Sequence, residues 1–136
     1  MVLFRNLALL ALTFWVYACT ESTDQVMGNE NPVQSILISE IDVNDDFTST
    51  SFKLSNKAKS TYYTGVVVIA EFRREGRKIG SELMVVYPPL FGPGKHFVHE
   101  QSLYPASETD ELHLYVERAS FYPEHELKSI LENEDK

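Results

Sequence analysis

The stretch that most constrains the fold of this 136-residue chain is TYYTGVVVIAEFR, residues 61–73. Four apolar side chains alternate along it and would share one face of a β-strand, because successive strand residues point to opposite faces. They are Val66, Val68, Ala70 and Phe72. Val67 and Ile69 make the other face apolar as well. Two apolar faces are typical of a central strand, so we predict that Val68 and Phe72 are buried inside a sheet.

Further short strands are predicted around this one, because β-branched and aromatic residues recur between turn signals. They cover residues 35–43, 47–55, 79–87, 95–103 and 111–118. The turn signals are Asn44-Asp45-Asp46, Glu75-Gly76 and Pro93-Gly94, the last in the order of a type II turn. About six or seven antiparallel strands in one small domain predict an all-β fold, a β-sandwich.

The pattern becomes helical near the C-terminus. Leu127, Ile130 and Leu131 recur at helical spacing and would share one face, which predicts a short amphipathic helix. We therefore expect a sandwich domain at residues 35–122, followed by a C-terminal helix and tail at residues 123–136.

The first residues have the organisation of a secretory signal peptide. Arg5 precedes an apolar run over residues 7–18, which is shorter than the roughly 20 residues that cross a bilayer core. The run ends at Ala18 and is followed by Cys19, the only cysteine of the chain. We predict that residues 1–18 are removed by cleavage after Ala18.

Residues 16–19, VYAC, resemble a bacterial lipobox, in which the signal peptide is removed just before a cysteine. The resemblance implies a lipid on Cys19, because its thiol is needed to form the thioether, and hence a membrane anchor. Thr20 stands where an aspartate would retain such a lipoprotein at the inner membrane, so the implied location is the outer membrane of a Gram-negative bacterium. The alternative is an ordinary signal cleaved after Ala18, which would give a secreted or periplasmic protein with a free thiol.

Residues 19–34 are polar and acidic, contain Gly28 and Pro32, and lack a sustained periodicity. We predict that they form a flexible tether, with a root-mean-square span of roughly 20 Å. A tether of this kind would let the domain reach a neighbour on the same membrane.

The charge balance excludes one class of partner. After removal of residues 1–18 the chain has 11 basic and 20 acidic residues, a net charge of −9. A nucleic-acid binder needs a basic face, so none is expected here. The same balance argues against electrostatic docking on anionic lipid. A single cysteine also excludes an intramolecular disulfide and a Cys-rich zinc site.

Several motifs within residues 47–103 occur in an informative order. They are Phe52-x-Leu54-x-Asn56, the strand at 66–72, the charged turn with Gly76, and Leu90-x-x-Pro93-Gly94-Lys95. This order resembles the FxLYD-type domains of bacterial envelope proteins. The resemblance implies an immunoglobulin-like sandwich in an extracytoplasmic setting, and it carries no catalytic residues. The chain departs from the pattern at Arg73-Arg74, where an aspartate is usual, and at His99, where an inward aromatic is usual.

One turn has the beginning of a calcium loop. Asp42, Asn44 and Asp46 match its first three ligand positions. Phe47 and Lys53 stand where the loop needs a glycine and a bidentate glutamate, so an EF-hand is excluded. A looser calcium site through the same three residues stays open as an alternative to a solvated turn.

The histidines do not form a zinc pair. His96 and His99 are three residues apart, which places them on opposite faces of a strand. His113 lies between the inward Leu112 and Leu114 and is expected to point outward. We expect His99 at a buried or rim position, held by a hydrogen bond.

No nucleophile elbow, phosphate-binding glycine loop or metal-spaced cluster occurs in the sequence. We therefore predict a protein that is not an enzyme and has no cofactor. The expected function is that of a cell-envelope lipoprotein whose sandwich is an interaction or assembly module. A calcium- or small-ligand-binding envelope protein is the first alternative, and a small hydrolase is the second.

The expected contact with an envelope protein partner is the apolar loop YPPLF, residues 87–91. Its two prolines fix the loop at low entropic cost. A loop this apolar must either fold back on the core or meet a partner. We predict contact through Tyr87, Leu90 and Phe91.

Overall fold

The computed structural model describes residues 29–134, which form two short helices and six strands. In chain order these are α1 (Pro32–Ser35), β1 (Ile36–Val43), β2 (Ser49–Asn56), β3 (Tyr63–Arg74), β4 (Arg77–Val86), β5 (His96–Ser102), β6 (Glu111–Phe121) and α2 (Glu124–Glu134). The strands make two antiparallel three-stranded sheets, with orders β1-β2-β5 and β4-β3-β6. The prediction of an all-β sandwich with a short C-terminal helix is confirmed.

The central position of β3 is also confirmed. It pairs with both β4 and β6, and its Val68 and Phe72 are buried in the core between the sheets. Facing residues of the other sheet, including Phe52 and Leu54 of β2, complete this core. The alternation of apolar residues along β3 therefore identified the correct inward face.

Two predicted turns close in the expected geometry. Glu75 (φ 49°) and Gly76 (φ 76°) both have positive φ between the paired Arg74 and Arg77, as a two-residue type I′ hairpin requires. At the other turn the amide of Lys95 donates to the carbonyl oxygen of Gly92 over 3.1 Å, and Gly94 has a φ of 77°. Pro93 and Gly94 thus occupy the two central positions of a type II turn.

The connections gather at the two ends of the sandwich. The N-terminal end comprises residues 29–35, 57–62, 87–95 and 122–123, and the distal end comprises residues 44–48, 75–76 and 103–110. Hydrogen bonds join the loops within each end, such as the Tyr63 amide to the Phe91 carbonyl and the Leu103 amide to the Thr48 carbonyl. The chain enters the domain at the N-terminal end.

The domain begins earlier than Ser35. Glu30 accepts hydrogen bonds at its carboxylate from the amides of Lys59 (3.0 Å) and Ser60 (3.1 Å), and its carbonyl accepts one from the Tyr63 hydroxyl (2.7 Å). These bonds, led by those from Lys59 and Ser60, lower the pKa of the Glu30 carboxyl. The start of the sandwich domain, expected at Ser35, therefore moves to Glu30.

Helix α1 explains why the chain turns here into the sheet. Asn31 caps it by accepting the Val33 amide at its side-chain oxygen (3.0 Å), and Pro32 occupies its first turn. Residues 29–34 of the expected tether are thus packed on the sandwich, while its residues 19–28 lie outside the described part of the chain.

Candidate interaction surface

Within residues 29–134, no group of three or more His, Cys, Asp or Glu side chains could hold a metal ion. The histidines lie as their spacing predicts. The His96 ring hydrogen-bonds the Ser55 hydroxyl (2.8 Å), whereas His99 lies against the Phe52 ring at the rim of the core and bonds Gln101 (2.9 Å). His113 points outward and pairs with Glu111.

The polar groups of the turn that contains the calcium candidates form hydrogen bonds with one another. Asp46 accepts bonds from the amide (3.3 Å) and hydroxyl (2.6 Å) of Thr48, and the latter is the main cause of its lowered pKa. The side-chain oxygen of Asn44 accepts the Ser49 amide over 2.9 Å. These bonds are those of an ordinary polar turn.

A polar cavity of about 560 Å³ opens beside this turn, between the ends of β1, β2 and β5. Its lining residues carry hydroxyl, amide and carboxylate groups; they are Asp42, Asn44, Ser49, Thr50, Ser51, Glu100, Gln101 and Ser102. The structure thus brings Asp42 and Asn44 to one cavity with Glu100, and leaves Asp46 outside it.

The loop at residues 87–91 is divided between the core and the surface. Phe91 is 1% exposed and belongs to the core, while Tyr87 is 72% exposed and Leu90 is half-buried. The amide of Leu90 also donates to the Tyr122 hydroxyl over 3.3 Å. A partner contact through Phe91 must therefore be corrected, because its ring fills the core and only Tyr87 is fully available.

A larger apolar surface lies on the side of the β4-β3-β6 sheet that faces away from the core. We call it the outer face. Leu83, Val85 and Tyr115 are 51%, 41% and 43% exposed, and they flank Ile69 and Val67 of β3 in the register of the sheet. Val67 and Ile69 are buried and do not belong to the core cluster between the sheets.

Tyr87 continues the outer face beyond the end of β4. A Cβ built on Gly65 would lie 3.3 Å from the Tyr87 ring, so this ring covers the glycine. Leu83, Val85 and Tyr87 then form one row of alternating residues. The missing side chain at Gly65 allows the aromatic ring to lie close to the backbone of β3.

Charged pairs border the outer face. Arg73 contacts Glu71 at 2.6 Å, and Arg118 contacts Glu117 at 2.7 Å. His113, beside Glu71 in the register, pairs with Glu111 at 2.5 Å. An apolar centre with a polar rim is the anatomy of a protein interface.

Comparison of the chain with models of protein families, with curated proteins and with solved structures found no match. The immunoglobulin-like FxLYD resemblance therefore stays a prediction. No helix within residues 29–134 is long and apolar enough to cross a bilayer. Ala18 and Cys19, at the expected cleavage and lipidation site, lie outside the described residues.

Asn56 joins the two long loops of the N-terminal end. It is fully buried, and its side-chain amide donates to the carbonyls of Thr61 (2.9 Å) and Phe91 (2.9 Å). Its side-chain oxygen accepts the Ala58 amide over 2.9 Å. The motif containing Asn56 was visible in the sequence, but this bridging role was not.

The outer face was also not predicted from the sequence, because it depends on which strands are neighbours in the sheet. The sequence indicated two apolar faces on β3, yet it did not show that Leu83, Val85 and Tyr115 flank one of them at the surface. The available signal was the alternation of Leu83 and Val85 along β4 and of Tyr87 just after it, which would have marked a second apolar row.

Proposed function

We propose that this chain is a non-enzymatic cell-envelope lipoprotein, anchored through Cys19, whose sandwich acts as an interaction or assembly module. The outer face of the β4-β3-β6 sheet is the observation that supports the module best. Leu83, Val85 and Tyr115 are each about half exposed beside one another, where a solvated face would carry polar side chains.

The apolar surface is contiguous, which separates it from scattered exposed residues. Contiguous apolar patches rimmed by polar groups mark binding sites in soluble domains. Two tyrosines, Tyr87 and Tyr115, belong to this surface, and tyrosine is enriched among the residues that dominate protein interfaces. The partner contact proposed for the loop at residues 87–91 is thereby moved to the outer face, with Tyr87 as the shared residue.

The proposed location rests on the sequence around Cys19. The only thiol of the chain follows an apolar run with the length of a signal peptide. The resemblance to a lipobox, with Thr20 after the cysteine, implies the outer membrane rather than the inner one. Ten residues separate Cys19 from Glu30, where the domain begins. A domain on so short a connection would meet partners that lie close to the same membrane.

One observation favours a second candidate function. The polar cavity that contains Asp42, Asn44 and Glu100 offers hydroxyl, amide and carboxylate oxygens to a small polar ligand or a calcium ion. An envelope protein that binds such a ligand is the alternative proposal. Calorimetry with calcium, comparing the chain with its Asp42→Asn/Glu100→Gln variant, separates the two proposals.

We expect a metabolic fatty-acid label to enter the wild-type protein and to be absent from Cys19→Ser. The variant should also leave the membrane fraction, because the thioether has no other thiol on which to form. Gel autoradiography and cell fractionation measure both effects. If wild type takes up no label and Cys19→Ser is equally membrane-bound, an ordinary signal peptide is the better explanation.

We expect the double variant Leu83→Ser/Tyr115→Ser to lose crosslinks to envelope proteins in intact membranes. Both side chains are exposed, so the fold should be retained, as circular dichroism will check. Val98→Ser/Tyr104→Ser is a matched control, because it removes an exposed aliphatic and an exposed aromatic residue outside the outer face. Unchanged crosslinks in the first variant would show that the outer face is not the contact surface.

A further inference from the structure

Charge is distributed unevenly between the two ends of the sandwich. The loops of the N-terminal end carry Lys57, Lys59 and Lys95 against Glu30, which gives a net charge of +2. The loops of the distal end carry no basic residue and a net charge of −5, from Asp45, Asp46, Glu75, Glu108 and Asp110. The loops at the two ends therefore differ in charge, although basic residues of β3 and β4 flank the distal loops and Arg74 among them pairs with Glu108.

The three lysines are available for an external anion. All three are exposed, and none forms an ion pair within residues 29–134. Most other basic side chains are already within ion-pair distance of a carboxylate; these are Lys53, Arg73, Arg74, Arg118 and Lys128. The one carboxylate among the N-terminal loops, that of Glu30, already accepts the amides of Lys59 and Ser60.

Apolar side chains are exposed at the same end. Val33 of α1, Phe121 at the end of β6 and Tyr87 are 55%, 39% and 72% exposed. Tyrosine at the headgroup level, with lysines that extend to phosphates, is the arrangement found where proteins contact a bilayer interface.

Helix α2 opposes this charge but does not cancel the asymmetry. It begins at the N-terminal end with Glu124 and Glu126, and counting both makes that end neutral, against −5 at the distal end. Glu124 is paired with Lys128 over 2.9 Å. The strand residues that flank the distal loops reduce the asymmetry further, because Arg73, Arg74, Arg77 and Lys78 outnumber Asp42 and Glu111 there. With the two strand residues on each side of every loop included, the ends carry 0 and −3, a difference of three charges.

Chain length favours the same end. From Cys19 to Glu30 the backbone can span at most about 40 Å, at roughly 3.5 Å for each residue. The longest strand, β3, has 12 residues and a length of roughly 40 Å. Contact through the distal end would require a fully stretched connection along the whole sandwich, whereas the N-terminal end reaches the bilayer at any extension.

We propose that the N-terminal end of the sandwich binds the surface of an anionic phospholipid bilayer, with Lys57, Lys59 and Lys95 against lipid phosphates and Tyr87 at the headgroups. The proposal rests on the proposed anchor at Cys19, which holds this end near the lipid. Each lysine close to an anionic surface contributes on the order of 5-fold to the local affinity, and the carboxylates of Glu30, Glu124 and Glu126 at the same end reduce the total. The strands then point away from the bilayer and present the outer face sideways to neighbouring envelope proteins.

The test uses residues 19–136 with Cys19 coupled to a maleimide-bearing lipid in vesicles, so that it does not depend on lipidation in the cell. The only tryptophan of the sequence, Trp15, precedes this segment, so a single introduced tryptophan is the only source of tryptophan fluorescence. Tyr87→Trp reports on the N-terminal end, and Tyr104→Trp, at an 82% exposed position, reports on the distal end. Brominated phosphatidylcholine in the vesicles quenches a tryptophan that touches the bilayer.

We expect several-fold stronger quenching for Tyr87→Trp than for Tyr104→Trp, only when phosphatidylglycerol is present and only at low salt. Adding Lys57→Gln/Lys59→Gln/Lys95→Gln should abolish the difference. The matched control Arg77→Gln/Lys78→Gln/Arg118→Gln removes the same charge elsewhere and should preserve it. Equal quenching at the two ends, or the same loss in both triple variants, overturns the proposal without bearing on label uptake at Cys19.

Discussion

Replacement of Phe72 by alanine is expected to lower the free energy of unfolding by about 3 to 5 kcal/mol. The Phe72 side chain is 2% exposed and packs in the core between the two sheets, on the central strand β3. Its loss removes apolar contacts and leaves a cavity that the paired strands on both sides cannot close. Small domains are stable by only about 5 to 15 kcal/mol, so urea denaturation should show a large shift of the midpoint.

Ile79→Ala is the matched control for this prediction. Ile79 lies on the neighbouring strand β4 and is 40% exposed, so its truncation should cost about 1 kcal/mol or less. A loss of less than about 1 kcal/mol for Phe72→Ala would mean that its ring does not fill the core as the structure indicates.

Replacement of Asn56 by alanine is expected to cost about 2 to 4 kcal/mol of folding stability, because each buried polar group left unpaired costs about 1 to 3 kcal/mol. The Ala58 amide loses its acceptor in a buried site, and the Thr61 carbonyl loses one donor. The Phe91 carbonyl keeps the amide of Tyr63 as a donor, which limits the loss.

Asn44→Ala provides the comparison for Asn56→Ala. Asn44 also makes two side-chain hydrogen bonds, but at an exposed turn where water replaces them, so its loss should cost about 1 kcal/mol. Urea denaturation measures both variants, and hydrogen exchange at Ala58 should accelerate only in Asn56→Ala. Equal losses in the two variants would contradict the bridging role of Asn56.

The Asn56 bridge also bears on the proposed contact with lipid. It holds the loop that carries Lys57 and Lys59 to the loop that carries Tyr87 and Lys95. If the bridge is lost, the lysines and the tyrosine are no longer held in one arrangement, and the contact with phosphates becomes less favourable because the loops must be ordered on binding.

Local patterns predicted much of the fold, because strand alternation and turn chemistry act over a few residues. Val68 and Phe72 could be assigned to the core from the period of two along β3. Glu75-Gly76 and Pro93-Gly94 could be assigned to turns, because positive φ at a glycine is a local requirement. These features were predictable without knowledge of which strands are neighbours.

Contacts between distant residues were not predictable in this way. Glu30 was assigned to the tether because its neighbours are polar, and its partners Lys59 and Ser60 lie about thirty residues away along the chain. Phe91 was assigned to a partner contact because its loop is apolar. Its loop is held against the distant strand β3, because the Tyr63 amide donates to the Phe91 carbonyl over 3.1 Å, and the ring is buried there.

Sequence alone determined the strand pattern of this protein, its acidic net charge and the position of its only thiol, because these are properties of local order and composition. Only the tertiary structure decided where the charges and the exposed apolar residues lie. Lys57, Lys59 and Lys95 come together at one end because two loops that are distant in sequence are held together there. The outer face forms because antiparallel pairing places Leu83 and Tyr115 on either side of Ile69, and such pairings depend on the complete arrangement of strands.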